Sequence, residues 1–231
     1  MKILTIDTST ALGSVALIEK GEVKGQFDLN LPLTHNQRLI RSLKCLLAFT
    51  AVAIKEIDLF AVIKGPGSFT GLRIGVATAK GLAYSLKKPL VGVNGLDALA
   101  HNFLHTPYLI CPMLDARKNQ VFTAFYQGSN GKIRRVSDYK SISPEILLKG
   151  HRRKTIFAGT GVDIYKSIIS SKLKQKAIFP PLHLHRIHPE VIGELALETL
   201  EKTQQTDPTA LVPFYIRPSD AELRNGNIPT L

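Results

Sequence analysis

"KILTIDTSTALGSVALIEK" (residues 2–20) sets an apolar run, a polar turn and a second apolar run end to end. Residues 2–7 predict a buried strand, Gly13 a turn, and 14–20 a second strand. Residues 22–29 follow Gly21 as a third, so the chain opens as an antiparallel meander. The first strand ends in Asp7, with Thr8 and Ser9 behind it. Thr34 then stands where a helix cap would, ahead of Leu39, Leu43, Leu46 and Leu47 at helical spacing. A strand at 59–64, a helix at 71–86, a strand at 89–93 and a helix at 95–104 complete the order β-β-β-α-β-α-β-α.

The remainder begins the same way. Strands are expected at 108–116 and 120–127, with a third inside 131–142 and a short helix at 144–149 opened by Pro144. A strand at 155–160 leads into a further helix, and 188–202 is strongly amphipathic. The tail, "DPTALVPFYIRPSDAE" (207–222), reads as an extended strap. Asp115 closes the first strand of this half as Asp7 closes that of the other. Element order and these two aspartates predict a duplicated α/β unit, with halves at 1–105 and 106–231, the second smaller and degenerate. A nucleotide would lie in the cleft between such halves, beyond the carboxyl ends of the strands. Asp7, Thr8, Ser9 and Asp115 are the residues expected to face it, with Gly159-Thr160-Gly161 allowing close approach to a base or ribose. Each is also an ordinary turn residue.

"KGPGSFTGLRIGVATAKG" (64–81) is the other unusual stretch. Gly65, Gly67 and Ser68 before a helix could cradle an anion. The spacing is not a Walker loop, and G-x-G-x-x-x-G misses the dinucleotide fingerprint. Inside the helix, Gly71, Gly75 and Ala79 recur every fourth residue beside Thr78, Leu72 and Leu82. A mid-helix glycine costs about 1 kcal/mol relative to alanine, so two of them call for close packing. The partner is the 35–48 helix or another subunit, and the sequence leaves both open.

The net charge of +12 is uneven. Residues 106–189 hold 15 Lys and Arg against 4 Asp and Glu, whereas 190–231 hold 3 against 7. Such a basic segment attracts polyanions. No apolar run is long enough to cross a bilayer, and Asp7 falls where a signal peptide would be apolar, which points to the cytoplasm. Cys45 and Cys111 form neither a disulfide framework nor a metal spacing. His183, His185 and His188 cluster without the carboxylates or thiolates a zinc site needs, and no nucleophile set can be assembled.

With these residues laid out, the chain resembles the bacterial TsaB (YeaZ) family nearly end to end. The resemblance lies in "ILTIDTST…GSVAL", "THNQRLI", "GPGSFTGLRIGVATAKGLA", "GVNGLDALA", "LDARKNQVF" and "PFYIRPSDAE". It implies an actin/Hsp70/sugar-kinase-like fold of two ribonuclease-H-like halves. It also implies a non-catalytic subunit in the formation of N6-threonylcarbamoyladenosine beside the anticodon of tRNAs reading codons that begin with A. The implied partners are a TsaD-like transferase, a TsaE-like ATPase and tRNA through the complex, with a homodimer when the chain is alone. No cofactor is expected on the isolated chain, and ATP or ADP only in the complex. The larger relative's metal-binding H-x-x-x-H corresponds here to His35 and Leu39, so the second ligand is lost. The two helices would form the partner face, through His35, Leu39, Leu43, Gly71, Leu72, Gly75, Thr78 and Leu82. The alternative is a free-standing ATP-dependent small-molecule kinase, in which Asp7 and Asp115 would face ATP.

Overall fold

Ile3, Leu4 and Ile6 are all buried, which is what a strand covered on both faces requires. Accordingly β1 (Lys2–Asp7) lies in the middle of a five-stranded sheet in the computed structural model, which describes residues 1–31, 34–203 and 207–218. It pairs antiparallel with β2 (Gly13–Glu19), which pairs antiparallel with β3 (Glu22–Leu29). Lys20 and Gly21 make the hairpin turn between them, both at positive φ, as a two-residue turn of this hand demands. The chain then forms α1 (His35–Thr50), β4 (Leu59–Gly65), α2 (Phe69–Leu86) and β5 (Leu90–Asn94), with β4 parallel to both β1 and β5. Strand order is β3-β2-β1-β4-β5.

The second sheet repeats it. β6 (Leu109–Arg117), β7 (Gln120–Thr123), β10 (Lys140–Ile142), β11 (Thr155–Ala158) and β12 (Ala177–Ile178) stand in the order β10-β7-β6-β11-β12, with matching directions. α4 (Pro144–Leu147) and α5 (Thr160–Leu173) take the places of α1 and α2. Two expected strands are each divided. Residues 120–127 hold β7 and the start of β8 (Tyr126–Ser129), and 131–142 hold β9 (Lys132–Arg135) and β10. The β8–β9 hairpin is an insertion on the first half of β6, whose second half pairs with β7.

The last helix of each half lies on the other half's sheet. α3 (Gly95–His101) buries Leu96, Leu99 and Ala100 against Ile110, Leu114 and Phe122 of the second sheet. Its Asp97 carboxylate accepts hydrogen bonds at 2.7 Å from both Tyr126 and Tyr139 hydroxyls. α6 (Pro189–Thr203) packs Ile192 and Ala196 on Ile3, Ile18 and Val91 of the first sheet. The halves at 1–105 and 106–231 thus exchange their last helices: α6 belongs to the second half in sequence but closes the core of the first. Alternate β1 residues decide which helices they meet, with Leu4 and Ile6 facing α1 and α2 and Ile3 facing α6.

The strap at 207–218 ties the halves together. Lys80 Nζ donates to the Thr209 and Leu211 carbonyls, and Phe214 N donates to the Lys64 carbonyl at 2.7 Å. Tyr215 stacks on Phe69 with ring centroids 4.7 Å apart. Arg217 then donates to the Ala116 carbonyl at 2.8 Å and to Gln120 Oε1 at 3.1 Å, on the second sheet.

Candidate functional site

β1 delivers Asp7, Thr8 and Ser9 to the carboxyl edge of its sheet, directly beneath the β4–α2 turn. Ser68 N donates to the Ser9 carbonyl at 2.7 Å, and Thr8 Oγ1 donates to the Gly71 carbonyl at 2.7 Å. Ser68 caps α2 through its side chain, which accepts from Gly71 N. A Cβ at Gly67 would overlap the Ser9 carbonyl oxygen. At Gly71 it would overlap the Thr8 carbonyl oxygen, and at Gly75 the Thr8 hydroxyl. Gly65, at φ +135°, is closed off by the Phe214 carbonyl of the strap. Gly67, Gly71 and Gly75 thus admit the chain's own strand end.

That geometry corrects several expectations. Gly71, Leu72 and Gly75 are buried within this chain, as are Leu39 and Leu43, so none of the five presents a surface to a partner here. The metal-lacking pair also changes meaning, because Leu39 belongs to the core of the first sheet. The side chain of His35 lies outside the described residues. Thr78 and Leu82 are half-buried and border the outer face of α2. In the second half, the equivalent turn repeats the arrangement: a Cβ at Gly159 would overlap the Met113 carbonyl, and Thr160 Oγ1 accepts from Asp115 N at 3.1 Å. Gly159 and Gly161 press on β6 and β7, while Thr160 between them faces the cleft.

A cleft of about 690 Å³ opens between the halves. Ser9, Gly67, Ser68 and Asp115 line it; Asp7, Thr8 and Gly65 do not. Asp7 is only 7% exposed, and its Oδ1 accepts from both Ser9 N (2.8 Å) and Ser9 Oγ (2.7 Å). Asp115 is half-buried and accepts from Arg117 N at 2.9 Å. Thr160 of the expected Gly159-Thr160-Gly161 turn and Arg117 of "LDARKNQVF" line it too, and Arg38 and Arg217, which were not anticipated, complete the walls. Arg38 was in view within "THNQRLI", but no local pattern says that its guanidinium will bind the carbonyls of Ala11, Leu29 and Leu31. Those bonds fix the β1–β2 and β3–α1 connections that frame the cleft.

Reactive groups are held quiet. Burial pushes the Cys111 thiol up to about 12, away from thiolate chemistry. Among the described residues, no group of three or more His, Cys, Asp or Glu could hold a metal ion. His185 faces the Gly159 and Pro180 backbone, and His188 Nε2 lies 3.1 Å from the His183 carbonyl.

Burial raises the Asp7 pKa above its ordinary 3.8, against the two Ser9 hydrogen bonds that oppose the shift. The folded state therefore binds this proton more tightly than the unfolded chain does. Its stabilising contribution is complete below about pH 3.8 and is lost as pH rises through the raised value. Asp7→Asn keeps an oxygen for Ser9 without a charge. Urea midpoints of variant and wild type should diverge in the variant's favour from pH 4 to 7, and a constant difference would refute this origin.

Comparison with known proteins follows the same lines. The family model described as tRNA N6-adenosine threonylcarbamoyltransferase (TsaD) matches residues 32–224. The tRNA threonylcarbamoyladenosine biosynthesis protein TsaB of Bacillus subtilis is 35% identical over 97% of each chain. The chain belongs to the TsaB family. TsaB of Escherichia coli is 34% identical over 71% of each chain, and YeaZ from Pseudomonas aeruginosa superposes with a TM-score of 0.75 at 27% identity, covering 93% of this chain and 99% of that one. A dehydratase activator from Clostridium difficile, at 11% identity and a TM-score of 0.51 over 88% of this chain and 97% of that one, shares the fold alone. TsaB-family membership and the twice-repeated sheet order together give an actin-like, sugar-kinase-like fold of two ribonuclease-H-like halves.

Proposed function

We propose that this chain is a non-catalytic scaffold subunit in the formation of N6-threonylcarbamoyladenosine beside the tRNA anticodon. It works with a TsaD-like transferase and a TsaE-like ATPase, self-associates when alone, and meets ATP or ADP only in the assembled complex. The observation that carries this is the outer face of α1 and α2. The two helices share one buried cluster on the first sheet, yet α2 exposes Tyr84 (69%) and α1 exposes Phe49 (83%), on the flank that meets Phe27 of β3, and Ile40 (44%) on the opposite flank. On the same side of α2 as Tyr84, Ala77 and Gly81 keep the surface flat, and a Cβ at Gly81 meets nothing within 4 Å. Large aromatic side chains beside a flat helix are what a partner's helices can cover.

The kinase alternative is not favoured. The curated relatives bear a tRNA-modification name, and the Asp7 carboxylate that it would use is occupied by Ser9.

The purified chain with an activated threonylcarbamoyl donor, threonylcarbamoyl-adenylate, together with ATP and unmodified tRNA should yield no modified nucleoside by mass spectrometry. Adding the TsaD-like and TsaE-like proteins should produce it, and omitting this chain should abolish it. Modified nucleoside from this chain alone would overturn the non-catalytic assignment.

A further inference from the structure

Six of the fifteen Lys and Arg of residues 106–189 gather along one edge of the second sheet. Strand register fixes it: Arg134, Gln127, Leu109, Thr155 and Ala177 form one row across β9, β8, β6, β11 and β12. One step beyond that row, away from the cleft, come Tyr108, Lys154 and Lys176, each directly preceding the start of its strand. Lys132 opens β9 at the same edge, and Arg152, Arg153 and Lys174 lie in the adjoining turns. All six cationic side chains of this rim are exposed. At about 4.8 Å between strands the rim spans roughly 20 Å.

No carboxylate lies within 4 Å of any of these cations among the described residues, whereas the first half's Lys2, Lys24 and Lys88 each have one. Aromatic groups stiffen the edge. Lys154 Nζ sits 4.7 Å from the Tyr108 ring centroid, and His151 stacks flat on Phe125 at 5.2 Å. Arg153 is braced on Gln127 at 2.7 Å. The His151 pKa is lowered first by burial, with the charges of Arg153 and Lys176 adding to it.

We infer that this rim docks the phosphodiester backbone of tRNA. The inference rests on the reading under Proposed function that the chain works on tRNA, and it names the surface. An unpaired row of cations about 20 Å long faces roughly six phosphates at the ~3.4 Å axial spacing of a nucleic-acid strand. The rim offers no base-reading pocket, so it positions the RNA and leaves sequence to other contacts. It lies at the opposite edge of the sheet from the cleft and on the half that does not carry α1 and α2.

The test measures filter binding of an unmodified tRNA transcript as a function of salt. It is run on the full chain alone and mixed with a TsaD-like partner. Arg152→Glu, Lys174→Glu and Lys176→Glu together should weaken binding at least tenfold in whichever form binds RNA. They should also reduce the log–log salt slope by about 2 to 3, the loss expected for three phosphate contacts. The same positions changed to Gln should give a smaller loss in the same direction, with melting temperature unchanged. Reversal of Lys20, Lys24 and Lys55 on the first half, outside α1 and α2, should alter neither quantity. Unchanged affinity of the rim variants, an equal loss from the first-half control, or rim-dependent sedimentation with phosphatidylserine vesicles in place of RNA binding would each overturn the inference. Co-elution with the TsaD-like partner is read separately: if wild type co-elutes and the rim variants bind RNA normally, this surface is wrong while the scaffold reading stands.

Discussion

Gly71→Ala should cost this protein about 3 kcal/mol and lower its melting temperature by roughly 10 °C. The new methyl group would meet the Thr8 carbonyl oxygen, which is backbone at the end of a central strand and has no rotamer to yield with. Overpacking of this kind costs 1–3 kcal/mol and sometimes more, and in a chain of this size each kcal/mol is worth about 2–4 °C. The gain in helix propensity, about 1 kcal/mol, is too small to offset it. Gly75→Leu should be worse, because its branch must also displace the Thr8 hydroxyl from its bond to the Gly71 carbonyl. Calorimetry of the isolated chain decides the matter. Wild-type melting in both variants would mean that β1 does not press on α2 as described.

Gly81→Leu should behave in the opposite way. Its site is open, so the isolated chain should melt at or slightly above the wild-type temperature, by virtue of the better helix former. Assembly is what should suffer, since the leucine would stand proud of the flat strip that Ala77 and Gly81 make beside Tyr84. Phe49→Glu with Tyr84→Glu puts charge on the most exposed aromatic side chain of each helix. Aromatic anchors in interfaces are commonly worth 2 kcal/mol or more apiece, so binding to the TsaD-like partner, and self-association, should fall at least a hundredfold. Gel filtration and calorimetric titration read this directly. Full retention of binding by the double variant would remove α1 and α2 from the interface and with them the scaffold model's main support.

These paired outcomes turn on a distinction the sequence could not make. A four-residue repeat of small side chains announces close packing, but it does not name what approaches. Here Gly71 and Gly75 receive a strand end 63 or more residues distant in the chain, while Gly81, one helical turn past Ala77, receives nothing. The strands with unbroken apolar runs were legible, and so was the repeated order that aligns Asp7 with Asp115. The division of 120–127 was not, because β6 pairs with β8 over its first residues and with β7 after them, a choice made by three strands together. β12 has only two residues and owes its pairing to β11 rather than to any pattern of its own. The cleft was foreseen at the right edge of the sheets, but Arg38 and Arg217 were not, since their partners are backbone carbonyls scattered from Ala11 to Ala116.

The crossing of α3 and α6 has a consequence for how the protein can be divided. A polypeptide cut at residue 105 would leave each fragment holding a helix that chiefly covers its sibling's sheet, with part of its own sheet bare. Separately expressed, the pieces would be insoluble; synthesised side by side, they would find each other and rebuild the whole. Two lobes that look like independent copies are, energetically, hostages of one another.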